Sequence, residues 1–337
     1  MRANAAIRLL THYRVTARRL PWRALPGAAA PDPYRVWLSE IMLQQTSVAA
    51  VAPRFERFLA RWPTVEALAA APAADVLCEW AGLGYYARAR NLISCARQVA
   101  ALGGFPTSEV ELRALPGIGA YTAAAIAAIA FGRRAVVIDT NVERIVARLH
   151  AIRVPIPEVR PEIRKLADAM TPHQDCGDYA QAMMDLGATI CRPRAPDCPA
   201  CPLSADCAAF ASDDPQAFPP RASRRERPLR HGIARWVERD GAVRLVRRPD
   251  RGMLGGMAAL PGREWSDDPQ PLDAPPLARL RHVFTHFALD LTVISGSEID
   301  AGGWWQPLDR IGEAGLPTLY RRAAELVLAM RTADIAA

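Results

Sequence analysis

Four cysteines fall within seventeen residues, Cys191-RPRAPD-Cys198-PA-Cys201-PLSAD-Cys207, and no other stretch limits so strongly what this chain can fold into. Spacings of six, two and five residues on a Pro-rich loop let four thiolates surround one metal centre without ligands from elsewhere. Disulfides fit poorly. Seven cysteines is an odd number in 337 residues, nothing at the N-terminus has the form of a secretory signal, and a Cys-x-x-Cys pair in a cytosolic chain is more often metal-binding or catalytic. Zinc is the stronger rival, since four thiolates suit its tetrahedral shell, but its sites usually pair two Cys-x-x-Cys knuckles across a longer gap. Only Cys198 and Cys201 form such a knuckle here. Cys78, Cys95 and Cys176 sit singly in apolar or helical surroundings and read as buried structural residues.

The length is that of two domains, each large enough to bury its own core. A formal charge of +7, carried almost wholly by arginine, favours an anionic partner. Because guanidinium groups grip phosphate in pairs of hydrogen bonds, nucleic acid leads the possibilities. No apolar run reaches a membrane span, the longest being the Ala-rich segment from Ala120 to Phe131. A monomeric cytoplasmic protein without a membrane partner is expected, associated with the nucleoid if the source is bacterial.

From Ala3 to about Ile190 the apolar residues recur three and four apart between Pro and Gly breaks, which predicts a helical domain over 1–207. Residues 208–230 are polar, Pro-rich and strongly basic, and read as a linker: a solvated tether first, a phosphate contact second. Beyond it, HGIARWVERDGAVRLVRR predicts a hairpin turning at Asp240-Gly241, LARLRHVFTHFALDLTVISG supplies more strand, and LYRRAAELVLAM closes with a helix. The second domain, 231–337, is therefore smaller and of α+β type.

Within the helical domain, Asp32 and Pro33 start a helix predicted to run through YRVWLSEIMLQQTSV, with Tyr34, Trp37, Leu38, Ile41 and Val48 on its buried face. Glu40 shares a flank with Trp37, Leu43 and Gln44, where desolvation raises a carboxyl pKa and keeps a proton available. Taken alone, Glu40 also fits a rim residue or an arginine partner. Tyr85 and Tyr86 follow a Gly-rich turn beside arginines, an arrangement that suits base stacking or plain packing. Thr107 is placed to cap a short helix through Leu115. The turn Pro116-Gly117-Ile118-Gly119 and the helix AYTAAAIAAIAF up to Gly132 make a helical hairpin whose second N-terminus can seat a phosphate. Asp139 stands where RRAVVI runs into the next helix; there it is either an N-cap alone or a carboxylate held negative by the helix start.

In chain order, LPWR at 20–23, SEIMLQQT at 39–46, GLGYYARARN at 82–91, LPGIGAYTA at 115–123, the IDTN segment, QAMMDLGATIC at 181–191 and the cysteine loop resemble the helix-hairpin-helix, iron–sulfur DNA glycosylases, in detail the MutY-type adenine DNA glycosylases. The resemblance spans essentially residues 8–207. It continues more weakly in GMLGGMAALPG at 252–262 and HVFTHFALDL at 282–291, which resemble a Nudix-like domain that recognises 8-oxoguanine.

That resemblance implies a [4Fe–4S] cluster on Cys191, Cys198, Cys201 and Cys207, and duplex DNA carrying adenine opposite 8-oxoguanine or guanine as substrate. It implies base flipping, with Glu40 protonating adenine and Asp139 stabilising the sugar cation, supported by Tyr121 and Asn141. Leu20, Trp22, Arg23 and Asp185 match the surroundings of the flipped adenine. Gln45 and Tyr85 match intercalating positions, and Gln44, Thr46, Arg88, Gly117 and Gly119 fall in the DNA-contacting motifs. Phe284, Thr285 and His286 match the 8-oxoguanine recognition segment, with Thr in place of a usual Ser. Tyr121 occupies the place of the lysine used by thymine-glycol glycosylase/lyases, the nearest alternative, and cannot form an imine, so base removal without strand cleavage is expected. A catalytically silent iron–sulfur DNA-binding protein is the alternative from another class. The acidic signature of Nudix hydrolases is absent from WSDDPQPLDAPPLARLR, so no diphosphate hydrolysis is expected. Thr140 stands where glycine is usual, so its backbone must avoid positive φ. Arg192 and Arg194 on the cysteine loop are expected to face DNA phosphate.

Overall fold

Pro33 at the first helical position and Asp32 Oδ1, which accepts from Tyr34 N at 2.7 Å, start a helix as the sequence predicts. It ends earlier than predicted. Helix α2 spans Pro33–Met42, Leu43 caps it, and Gln45 takes φ +57, a left-handed conformation that no helix continues through. Ser47 then caps a separate helix, α3 (Val48–Arg61). The break puts Gln44 and Gln45 on a tight corner instead of on a continuous helical face.

The computed structural model describes residues 2–156, 158–220, 227–249, 252–297 and 302–336. The chain divides into two units, Met1–Ala73 with Arg90–Ser223, and Ala74–Ala89 with Arg224–Ala337. In the first, the long helices are α1 (Arg2–Thr16), α2, α3, α6 (Ala87–Leu102), α8 (Ala120–Ile129), α9 (Thr140–Leu149), α10 (Arg160–Met170) and α11 (Cys176–Thr189). Short helices α4 (Val65–Ala70), α7 (Glu109–Arg113) and α12 (Ala208–Ala211) fill its connections, while α5 (Ala73–Glu79) falls almost wholly in the second unit. Helix α11 packs on α1, α8 and α9, and α8 also packs on α2. One core is built from Leu9 and Tyr13 of α1, Ile145 and Val146 of α9, Ile163 of α10 and Met183 of α11.

The hairpin α7–α8 forms at the predicted turn, with one correction: Ser108, not Thr107, caps α7, its hydroxyl accepting from Glu111 N at 3.3 Å. Gly117 is required twice over. Its φ is +75, and a Cβ there would lie 2.6 Å from the Cβ of Asn91. Cys78 is also corrected. It lies on α5 two residues past the buried Val76, on the opposite side of the helix, and is exposed, whereas Cys95 and Cys176 are buried.

In the second unit, β1 (Leu229–Trp236) pairs in parallel with β6 (Ala288–Ser295), which pairs antiparallel with β5 (Pro276–Val283). A second sheet holds β2 (Glu238–Arg239), β3 (Ala242–Arg247), β4 (Ala258–Ala259) and β7 (Trp304–Pro307). Helix α13 (Thr318–Ala336) packs on β5. The predicted turn is present, with Asp240 at φ +50 and Gly241 at φ +72. The hairpin is shorter than predicted, because HGIARW leaves for the first sheet and only Glu238 and Arg239 register against β3. Buried Ile233, Ala234 and Trp236 draw that strand into the core. Of the predicted linker, residues 221–226 lie outside the described residues, and residues before them include α12 and a 3-10 turn at Pro215–Ala217. Among the described residues no helix is long and apolar enough to cross a membrane.

Candidate active site

Packing α8 on α2 carries Tyr121, in the first turn of one helix, to Glu40 in the last turn of the other. The Tyr121 hydroxyl donates to Glu40 Oε2 at 2.6 Å. Glu40 is 6% exposed, with its pKa raised chiefly by burial and further by Asp139, against the opposing pull of the Tyr121 hydrogen bond and the Arg23 cation. Burial holds Tyr121 itself far above the ordinary phenol value, so it stays a neutral donor.

Asp139 caps α9, as its position before a helical run suggests. Its Oδ1 accepts from Val142 N at 2.7 Å and its Oδ2 from Asn141 Nδ2 at 2.9 Å. Both bonds fix the orientation of the carboxylate at the start of the helix. Thr140 opens the helix, and its φ is not positive, which removes the difficulty raised by the missing glycine.

Both carboxyl groups line one cavity of about 770 Å³. Leu20, Arg23, Gln44, Gln45, Tyr121 and Asn141 line it too, so eight of the predicted residues meet there. Trp22 stands behind this wall, edge-on to Phe55 with ring centroids 5.4 Å apart. Asp185 is 6% exposed and held by Arg18 N at 3.1 Å, Arg18 Nε at 2.6 Å and Arg23 Nη1 at 2.7 Å. It therefore fixes Arg23 beside Glu40. Thr46 is turned inward on its own corner, its hydroxyl donating to Gln44 O at 3.2 Å.

Other predicted residues lie elsewhere in their units. Gly117 and Gly119 form the α7–α8 turn, and Gly119 caps α8 with no side-chain hydrogen bond. Tyr85, at φ +47, is 51% exposed at the tip of its turn. Arg88 supports that turn from within: its guanidinium donates to Leu83 O at 2.9 Å and Gly84 O at 3.3 Å, and burial lowers its pKa to about 10. Thr285 and His286 are exposed on the β5–β6 turn, closed by Phe284 N donating to Phe287 O at 2.8 Å. Phe284 stacks on Trp265, centroids 5.5 Å apart.

The cysteine loop is secured by α9. Arg148, 2% exposed, donates to Cys191 Sγ at 3.3 Å, Arg192 O at 2.7 Å, Pro193 O at 3.2 Å and Phe218 O at 3.1 Å. Arg144 donates to Cys191 O at 2.8 Å, and its Nη2 donates to Gly187 O and Asn141 Oδ1, each at 2.8 Å. Arg192 donates to Ala195 O at 2.9 Å, bracing the loop, while Arg194 is exposed.

Cys191, Cys201 and Cys207 pack against the core of this unit. Burial raises the Cys198, Cys201 and Cys207 thiols, Cys201 to about 11, and the neighbouring sulfurs raise them further. Among the described residues no three His, Cys, Asp or Glu side chains converge as a single bound metal ion would require. What fits an iron–sulfur group is the donor set: four thiols in one short loop, close enough that the others raise the Cys201 pKa, with a buried cation on Cys191.

Arg18, Arg144 and Arg148 are not found by reading the sequence. For Arg144 and Arg148 the available signal was weak: arginines four residues apart on a helix that otherwise buries its apolar face.

Residues 38–168 match the HhH-GPD superfamily of base excision DNA repair proteins, and residues 233–326 match the NUDIX domain. The adenine DNA glycosylase of Mus musculus is 32% identical, over 93% of this chain and 76% of its own length. That of Mycobacterium tuberculosis is 41% identical, over 63% of this chain and 70% of its own. Among solved structures, a thermostable thymine-DNA glycosylase superposes with a TM-score of 0.56 at 28% identity, covering 63% of this chain and 97% of that one. An endonuclease III–DNA covalent intermediate, at 24% identity and TM-score 0.52, shares the fold. With a buried acid, a capped carboxylate and a helical hairpin in one unit, and relatives of this identity along most of its length, the chain belongs to the adenine DNA glycosylase family.

Proposed function

We propose that the protein excises adenine from duplex DNA in which adenine is mispaired with 8-oxoguanine or guanine, leaving the strand intact. The observation that carries this reading is the buried Glu40, held by Tyr121 in the same cavity as Asp139. Adenine is a poor leaving group as an anion, so its departure needs a proton. Because the Tyr121 hydroxyl occupies Oε2, the Glu40 proton belongs on Oε1, presented to N7 of a base flipped into the cavity. The C1′–N9 bond then breaks towards an oxocarbenium ion. Asp139, held at the α9 N-terminus and oriented by Asn141, stabilises that cation, and Glu40 receives the proton of the incoming water.

Tyr121 has no amine with which to form an imine, which supports hydrolysis over lyase chemistry. The N-terminus of α8 after Gly117-Ile118-Gly119, which no side chain caps, would take a backbone phosphate. Gln45, at positive φ on a tight corner of the cavity wall, would enter the stack beside the flipped site, and Tyr85, exposed and also at positive φ, would contact DNA bases from its own turn. Thr285 and His286 would read 8-oxoguanine from their exposed turn. Cys191, Cys198, Cys201 and Cys207 would hold a [4Fe–4S] cluster, which would supply a structural clasp on the basic loop. Residues 1–207 then form the glycosylase domain, 208–230 a linker and 231–337 the recognition domain of a cytoplasmic monomer.

Single-turnover assays on duplexes with 8-oxoguanine:A, G:A and T:A pairs, read before and after alkali, test this reading. Adenine release from the first two, with strand breakage only after alkali, is the expected result. Breakage without alkali, or release from T:A at an equal rate, would refute it.

A further inference from the structure

A second cavity, also of about 770 Å³, lies wholly within the C-terminal unit and has no part in the proposed reaction. One wall comes from β1 and the segment beside it. Arg235 N donates to Pro261 O at 2.7 Å and Arg263 N to Ile233 O at 3.1 Å. Between these bonds a Cβ on Gly262 would lie 2.3 Å from Ile233 O, so only glycine lets the two backbones meet there. This contact aims the Arg235 and Arg263 side chains at one space. The facing wall is Trp304 at the start of β7, which pairs with Leu245 of β3. Its indole N–H donates to Gln306 Oε1 at 3.2 Å, which fixes the ring, and the Arg247 guanidinium lies 5.5 Å from the ring centroid.

Three arginines thus line the cavity, and among the described residues a single carboxylate answers them. Asp273 pairs with Arg263 at 2.9 Å and also with Arg235. It is 44% exposed, and ion pairs that open to solvent are weak and readily exchanged. Arg247 has no carboxylate partner among the described residues. The cavity therefore holds two guanidinium groups already converging on one exchangeable anion, a further cation, and a fixed aromatic wall. Its volume lies in the range of small-molecule sites. Paired guanidinium groups match the oxygens of a phosphate better than those of one carboxylate, and an indole beside a cation suits a planar heterocycle.

We propose that this cavity binds a free nucleotide, whose phosphates replace Asp273 between Arg235 and Arg263 and whose base lies against the Trp304–Arg247 wall. The edge beside Gly302 is open, since a Cβ there would meet nothing within 4 Å.

Calorimetric titration of the full-length protein with ADP, inorganic pyrophosphate and a short single-stranded oligonucleotide tests the assignment. ADP should bind, and Arg263→Ala and Arg247→Ala should each weaken it about tenfold, the effect of losing one charged contact. Asp273→Asn should strengthen binding severalfold by removing the internal competitor, a sign that misfolding cannot produce. Pyrophosphate should respond to Arg263→Ala and ignore Trp304→Ala, whereas ADP should respond to both. ADP affinity that is unmoved by the arginine variants, or weakened by Asp273→Asn, would overturn the proposal. Absent ADP binding, with oligonucleotide binding weakened by the same arginines, would assign them to a DNA backbone and overturn it as well. None of these measurements needs adenine release, so the outcome is independent of the proposed reaction.

Discussion

The Glu40–Asp139 cavity and the cysteine loop are built in the same unit from opposite treatments of buried polar groups. In the cavity a carboxyl is removed from water and given one strong donor, Tyr121, so burial prevails and its pKa rises. In the loop a buried cation, Arg148, is given four acceptors, including three backbone carbonyls, and its charge is used to fix chain geometry. A proton donor must keep some instability of its charged form, while a clasp must not. The two regions nevertheless touch through Arg144. Its guanidinium binds Cys191 O on one side and Asn141 Oδ1 on the other, and Asn141 in turn donates to Asp139.

The sharpest separation of the two regions comes from Glu40→Gln and Asp139→Asn. Each should slow single-turnover adenine release by about 10²–10⁴-fold, while the visible absorbance expected of a cluster and the duplex affinity stay at wild-type values. Release at the wild-type rate in either variant would remove these residues from the chemistry. Arg148→Met attacks the loop instead. It leaves buried carbonyls without donors and should lower stability by about 2–4 kcal/mol in denaturant titrations, with base release at saturating DNA little changed.

Arg144→Met tests the connection itself. A stability loss of about 1–2 kcal/mol together with a roughly tenfold slower chemical step is expected, because Asn141 loses the partner that orients it. An unchanged rate would make the cavity and the loop independent. The smallest effect belongs to Tyr121→Phe, a roughly two- to tenfold slower release accompanied by a shift in the pH profile. The Tyr121 hydrogen bond favours the ionised form of Glu40, so its loss raises the Glu40 pKa further. A general acid is lost as pH rises through its pKa, so the alkaline limb of the rate profile should move to higher pH. Glu40 follows the same sign in stability: its burial favours folding below its ordinary pKa, and that contribution is lost as pH rises through the raised value.

What could be read without coordinates was local. Asp32-Pro33 starts α2, Asp139 caps α9, Gly117 turns the α7–α8 hairpin, and Asp240-Gly241 turns β2 into β3, each fixed by residues within a few positions of one another. The cysteine loop was legible for the same reason, all four thiols lying in one short segment. Errors arose where distant contacts override local preference. Apolar spacing ran α2 on to Val48, but the chain breaks at Gln45, and the β1 strand leaves its hairpin for a parallel partner more than fifty residues on.

The sequence by itself therefore determined the local elements, the cysteine spacing and the types of residue the proposed reaction needs, since these depend on backbone dihedrals and on neighbours along the chain. Only the tertiary structure decided which of them act together. Tyr121 reaches Glu40 across 81 positions, Asp185 sets Arg23 across 162, and Arg144 joins Asn141 to Cys191 across 47. Burial and hydrogen bonding at such separations depend on how the helices pack, and that packing raises the pKa of an otherwise ordinary glutamate.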